Sequence, residues 1–199
     1  MVAQVVAVSR DESHRFSKVS CQAITLVAGL GIAGDAHAGT LVQHRSRVRR
    51  NPNQPNLRQV HLLQTELLDE ARAAGHDVAP GGLGENVLTE GLDLLGLATD
   101  SRLLIGDAVL RVTGLRNPCH QINGYSAGLL NVVVARVDGV GSSADVTLSA
   151  SGGAESLDGV GIVRRAGIMA VVERGGDIHP NMLIDVLAPP EPHRPLAPV

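Results

Sequence analysis

Apolar residues come in short runs, alternating at Ala108–Thr113, separated by glycine, proline and polar clusters, which predicts strands joined by turns rather than long helices. Residues 2–8 mix β-branched residues with alanine and predict a first strand. The polar stretch Arg10–Lys18 predicts a loop, and Val19–Val27 again has strand character. Further strands are predicted at Gln59–Leu63, Leu103–Ile105, Ala108–Thr113, Asn131–Val137, Gly167–Val172 and Met182–Leu187. Gly106-Asp107 reads as a hairpin turn, and Gly175-Gly176 separates the last two strands. One stretch has helical periodicity. Thr65 is placed to cap it, Glu66 and Asp69 suit its first turn, Leu67, Leu68, Ala71 and Ala74 share a face, and Gly75 can end it.

Asp138–Gly161 is rich in Gly, Ser, Ala and Val, and its weak alternation at Asp145–Ala150 suggests an added strand or a loose insert. The tail from Pro189 to Pro195 is expected to be disordered or extended. Many short strands with a helix at about residues 65–74 predict a mostly antiparallel β-barrel with a peripheral helix. We expect one domain over residues 1–188, with 138–166 as a loose insert, and a proline-rich tail at 189–199.

Composition narrows the function. Aromatic residues make up 1% of the chain, so the stacking platforms of single-stranded nucleic-acid binders are missing. A net charge of -3 gives no global pull toward nucleic acid or a membrane, and neither is expected as a partner. Two cysteines, Cys21 and Cys119, are too few for a disulfide framework. The apolar start of the chain lacks a basic leader and stops at Ser9–Asp11, too soon for a signal peptide or a span. A cytoplasmic protein with reduced thiols follows, a Cys21–Cys119 disulfide being the alternative.

The candidate chemistry centres on Arg116-Asn117-Pro118-Cys119-His120. Pro118 stiffens the turn and pushes Asn117 toward an extended conformation, so Cys119 is delivered at the end of a predicted strand. Arg116 and His120 flank it, and a nearby cation favours the thiolate that attacks electrophiles or binds soft metals. The plain alternative is a small buried residue in a turn. Gly29–Gly39 contains four glycines that permit close backbone approach to a ligand, but the spacing is wrong for a dinucleotide fingerprint and no helix pattern follows.

From Ala36 to Thr65 there is no acid, while Arg45, Arg47, Arg49, Arg50 and Arg58 give a formal charge of +5, leaving -8 for the rest. A flexible arginine loop centred on Asn51–Asn56 would suit a phosphate; a solvated loop is the alternative. Gly81, Gly82 and Gly84 precede Glu85-Asn86 and predict a tight turn. It either presents an amide to a planar heterocycle or satisfies its own backbone.

In order, Gly31–His37, Arg58–Val60, Gly84–Asn86 with Gly91, Ile105–Asp107, Arg116–Cys119 and Gly167–Ala170 resemble the MOSC domain, named for the molybdenum-cofactor sulfurase C-terminal region. The resemblance runs from about Gly29 to Val186 and is to a free-standing bacterial member. It implies a β-barrel and a role in molybdenum-cofactor (molybdopterin) binding or sulfur transfer. Cys119 would be the persulfide carrier or molybdenum ligand, with Arg116, Asn86, Glu85 and Asp35 lining the pocket. To these our own reading of the residues adds His37 and the arginines Arg45, Arg47 and Arg58 for the cofactor and its phosphate. It also adds His61 or His120 as the group that orients or deprotonates the thiol. The sequence departs from the family pattern at Pro180-Asn181, where Gly-Asp is usual, and in the longer segment at about 137–165.

Three functions compete, because fold alone does not set activity. The first is a cofactor-binding or sulfur-carrier protein using Cys119. The second is a molybdenum-dependent reductase of N-hydroxylated compounds such as hydroxylaminopurines or amidoximes. It would need an external donor, since no flavin motif or iron–sulfur cysteine cluster is present. The third is a non-catalytic barrel that binds a small phosphorylated ligand. The implied partners are the pterin cofactor and a cysteine desulfurase or redox donor protein. A zinc hydrolase is a minor option, because the histidines are scattered and no His-Glu-x-x-His element exists.

Overall fold

The computed structural model describes residues 2–138, 155–157 and 160–199, with backbone alone over 136–138, 155–157 and 160–162. In chain order the elements are β1 (Gln4–Arg10), β2 (Val19–Cys21), β3 (Ile24–Val27), β4 (Gly31–Ile32), α1 (Arg45–Arg50), β5 (Val60–Gln64), α2 (Thr65–Ala73), β6 (Val87–Glu90), β7 (Arg102–Ile105) and β8 (Ala108–Leu115). There follow α3 (Gln121–Tyr125), α4 (Leu130–Val133), β9 (Val134–Asp138), β10 (Glu155–Leu157), β11 (Val160–Arg164), β12 (Ile168–Arg174), β13 (Gly176–Ile178) and β14 (Asp185–Leu187).

An eight-stranded sheet, in the order β14-β7-β8-β12-β5-β6-β1-β2, curls into a half-barrel. Its pairs are antiparallel except β5–β6. A parallel pair needs a crossover, and α2 supplies it, which is why the predicted helix lies on the outside. Two three-stranded sheets, β10-β11-β9 and β13-β3-β4, complete the architecture. The fold is mostly β, as expected.

The strand period of two divides the interior. On β5, Val60 and Leu62 enter the main core with Val5, Val8, Leu110, Val112 and Ile168. Leu63 points the other way, into a second core under α2 with Leu67, Leu68, Ala71 and Leu88. His61 alternates with Leu62 and so leaves the main core, a placement that matters for the site.

Several local expectations are corrected. Thr65 is the first helical residue of α2 rather than its cap; Gln64 holds the cap position and makes no side-chain cap bond. Val19–Val27 splits at Gln22-Ala23 because β2 pairs with β1 while β3 pairs with β4 and β13 in another sheet. Asn131–Val133 is helical, and β9 begins only at Val134; a short apolar run reads alike as strand or buried helix. Arg45–Arg50 folds as α1 within the expected arginine loop. The tail is extended, one of the two expected states, and it is docked: Leu196 is 1% exposed in the main core, and Leu115 N–H donates to the Ala197 carbonyl at 2.8 Å. The predicted strand at Asp145–Ala150 lies outside the described residues. Among those residues no helix is long and apolar enough to cross a membrane.

Candidate functional site

The floor of the site is one row across the large sheet. Met169 on β12 pairs with Gly114 on β8 and with His61 on β5. Asn86, just before β6, lies beside His61, its backbone N–H donating to the His61 carbonyl at 2.8 Å. An irregularity in β8 at Thr113 shifts the register here, and the Thr113 hydroxyl has the Leu57 and Met169 carbonyls within hydrogen-bond reach, at 2.6 and 2.9 Å. Such bulges re-aim the residues that follow. Leu115 stays in the main core and Arg116 turns to the opposite face.

Loops raise the walls. A cavity of about 100 Å³ is lined by Lys18, His37, Arg47, Arg58, Arg116 and Cys119, among others. A second hollow of about 250 Å³, over Arg50 and Asn117, shares His44, Arg47, Arg58, Arg116 and Cys119 with it. The Cys119 thiol is half-buried and free, as is that of Cys21.

Beneath the cavity lies a carboxylate network. Asp35 is ion-paired with Lys18 and accepts from the Asn86 amide at 3.0 Å and from His37 Nδ1 at 3.2 Å. Burial alone would raise the Asp35 pKa, but the His37 hydrogen bond and the Lys18 ammonium hold it well below the usual carboxylate range. Burial pushes Lys18 down, against the pull of Asp35.

Above the network the charge is positive. Arg116 is 7% exposed, and its Nη1 has no hydrogen-bond partner among the described residues. Burial pushes its pKa down, with Cys119 and Glu85 opposing. Burial, with Arg47 and Arg116 nearby, brings Arg58 to about 10. Burial and Arg58 bring His44 to about 4.

The expected site residues divide. Cys119, Arg116, Asn86, His37, His61, Arg47 and Arg58 share the cavity wall. Asp35 sits behind it, 6% exposed. Glu85 faces away, its carboxylate accepting from Gly81 and Leu83 N–H at 2.5 and 3.1 Å, so it braces the glycine turn; burial raises its pKa. Asn86 spends its amide hydrogens on Asp35 and the Ser9 carbonyl. His61 is fixed by its Nε2 to the Ala166 carbonyl at 2.7 Å, and burial pushes its pKa well down. His120 borders a separate hollow with Phe16 and Tyr125. Arg45 is exposed on α1 and is not among the lining residues.

Lys18, His44, Phe16, Asn56 and Gln121 also line the cavity and were not singled out from the sequence. Lys18 carried a signal: it is the only lysine among 17 basic residues. Among the described residues no group of three or more His, Cys, Asp or Glu side chains could hold a metal ion.

A sequence model of the MOSC domain matches residues 35–181, which span Asp35, Asn86, Arg116 and Cys119. The chain belongs to the MOSC domain family. The family is associated with molybdenum-cofactor binding and sulfurase-like function. Among solved structures this MOSC chain is similar to the YuaD protein from Bacillus subtilis, at 22% identity and TM-score 0.69, covering 96% of this chain and 98% of that one. It is also similar to YiiM from Escherichia coli, at 17% identity and TM-score 0.54, covering 96% and 73%. YiiM from Geobacillus stearothermophilus gives 12% identity and TM-score 0.58, covering 97% and 79%. At these identities the likeness shows the MOSC fold alone. No curated protein matches the chain by sequence.

Proposed function

We propose that this MOSC protein binds the molybdenum cofactor in the Cys119 cavity, with Cys119 as metal ligand or persulfide carrier. The observation that carries the reading is the buried Arg116 Nη1, without a hydrogen-bond partner among the described residues, on the wall it shares with Cys119. A desolvated guanidinium with an unused donor asks for an anionic or strongly accepting ligand.

The residues fit the group. Arg47, Arg58 and Arg116 would hold its phosphate or oxo-anionic part, since guanidinium forks match such oxygens. Lys18 and His37 would meet its polar edge, and the soft Cys119 sulfur suits molybdenum or a sulfur atom in transit. The bound cofactor would supply two-electron oxygen-atom or sulfur chemistry. The protein's own groups would bind it, orient it and limit water. In a carrier cycle the Cys119 thiolate attacks the outer sulfur of a donor persulfide, such as that of a cysteine desulfurase. The donor S–S bond breaks, a new one forms at Cys119, and the donor thiolate leaves.

A molybdenum-dependent reductase of N-hydroxylated compounds is the second reading. It is favoured by the half-open imidazole of His37 on the same wall, because reducing an N–OH group to N–H and water consumes two protons with two electrons from an external donor.

The test is metal, pterin and cyanide-releasable sulfur analysis of protein purified anaerobically from a host that makes the cofactor, wild type against Cys119→Ser. Stoichiometric molybdenum and pterin, or labile sulfur, lost or diminished in the variant, is the expected result. Clean wild type with none of the three would overturn the reading and leave a barrel for a small phosphorylated ligand.

A further inference from the structure

Three histidines line the cavity, His14 and His120 stand beside it, and their surroundings separate them. His61 has its Nε2 committed to the Ala166 carbonyl at 2.7 Å and is 5% exposed, so it stays a neutral structural ring. His44 has its Nδ1 on the Ser46 hydroxyl at 3.0 Å and sits among Arg58 and Arg47, which oppose its protonation. His120 is exposed and borders the hollow of Phe16 and Tyr125 instead. Among the described residues, His37 alone of them has a carboxylate partner.

That carboxylate is built for one task. Asp35 Oδ1 accepts from both the backbone N–H of His37 at 2.9 Å and its Nδ1 at 3.2 Å. Asp35 Oδ2 takes the Lys18 ammonium, the Asn86 amide at 3.0 Å and the Asp11 N–H at 3.4 Å. With every side supplied by donors, the carboxylate can only accept. The proton of neutral His37 must then lie on Nδ1, which leaves Nε2, without a partner among the described residues, on a ring of the cavity wall. Two further rings lie near it, His14 and His44, with ring centroids at 5.2 and 6.3 Å, and Arg15, Lys18, Arg47, Arg58, Arg116 and Cys119 line the same cavity.

We propose that His37 exchanges a proton with the ligand through Nε2, and that Asp35 is the residue that positions it. The proposal rests on the reading that the ligand occupies the Cys119 cavity, and it names the acid–base group of that site. In the donating direction the Nε2–H bond of the imidazolium breaks, its electron pair stays on nitrogen, and the proton passes to a ligand oxygen or nitrogen. The ring is recharged from solvent, since 26% of its side chain is exposed. No electrons move in the step, so it serves sulfur transfer and N–O reduction alike.

The test has two readouts. On ligand-free protein, histidine-selective ¹⁵N NMR, assigned with His37→Gln, is expected to show neutral His37 as the Nδ1–H tautomer, and Asp35→Asn to lose that preference. On cofactor-loaded protein, reduction of an N-hydroxylated amidine with a dithionite-reduced viologen, or sulfur transfer from Cys119, is followed against pH. His37→Gln is expected to lower turnover per bound molybdenum, or per loaded sulfur, about 10²-fold, the usual scale for one general acid–base group, with partial rescue by added imidazole. An Nε2–H tautomer in wild type overturns the proposal, as does wild-type turnover with an unchanged pH profile in His37→Gln. If wild type carries neither cofactor nor labile sulfur, the cavity reading fails, while the tautomer still decides whether Asp35 and His37 are paired as described.

Discussion

Lys18 and Asp35 form an ion pair under the floor of the cavity, with side chains 5% and 1% exposed. They are seventeen residues apart, and Asn86 from the glycine turn completes the group by donating to the same carboxylate oxygen that Lys18 meets. Three separate segments thus converge on one carboxylate, and the position of His37 depends on it.

Breaking this pair should be costly. Removing one member of a buried ion pair leaves the other charge uncompensated, at about 3–5 kcal/mol. Lys18→Met is expected to lower the unfolding free energy on that scale in urea titrations. Lys18→Arg should also destabilise, because a planar fork cannot replace a compact ammonium in a closed site. Wild-type stability in Lys18→Arg would show that the pocket around Lys18 is more open than the structure has it.

Acid should loosen the same point. The folded pKa of Asp35 lies below its unfolded value, so its stabilisation is present above about pH 4 and is lost as pH falls below that toward the folded pKa. The gap in unfolding free energy between wild type and Asp35→Asn should therefore be widest near neutral pH and shrink below about pH 4. Denaturant midpoints at a series of pH values measure it, and a gap constant with pH would contradict the assignment.

Arg116 is expected to trade stability for binding. It is a buried cation with an unused donor, so Arg116→Gln should unfold no earlier than wild type. Its affinity for inorganic phosphate as an anion probe should fall at least about tenfold, the scale of one charge-assisted hydrogen bond at about 1.5–3 kcal/mol. Calorimetric titration beside thermal melts separates the two effects; unchanged phosphate affinity would remove Arg116 from the binding surface.

Gly167 should tolerate no side chain. Its φ is +85°, and an added Cβ would lie 2.1 Å from the Leu62 carbonyl and 3.1 Å from His61 Nε2. Gly167→Ala is expected to cost more than the ~1–3 kcal/mol of backbone strain alone and to disturb His61. Gly75→Ala, with φ +88° and open space around it, is the control for strain without a clash. Equal losses in the two variants would mean that the contact with Leu62 relaxes freely.

The sequence by itself determined the elements with a clear period and the residues that chemistry makes conspicuous. The β-branched run of β1, the alternation at the start of β8 and the apolar face of α2 are local properties, readable from the residues themselves. Cys119 behind Pro118 and the acid-free arginine segment were likewise visible as residue types in a pattern. Tertiary structure decided what each polar group does. Whether Glu85 faces the cavity or its own turn depends on the backbone N–H groups of Gly81 and Leu83. The split of Val19–Val27 depends on two sheets competing for one segment, and the helix at Leu130–Val133 on what covers a short apolar run. Lys18, Asp35 and Asn86 meet only because the first loop, the glycine-rich segment and the turn before β6 converge. Burial and long-range pairing set the charge and tautomer of such groups, and neither is a property of neighbouring residues along the chain.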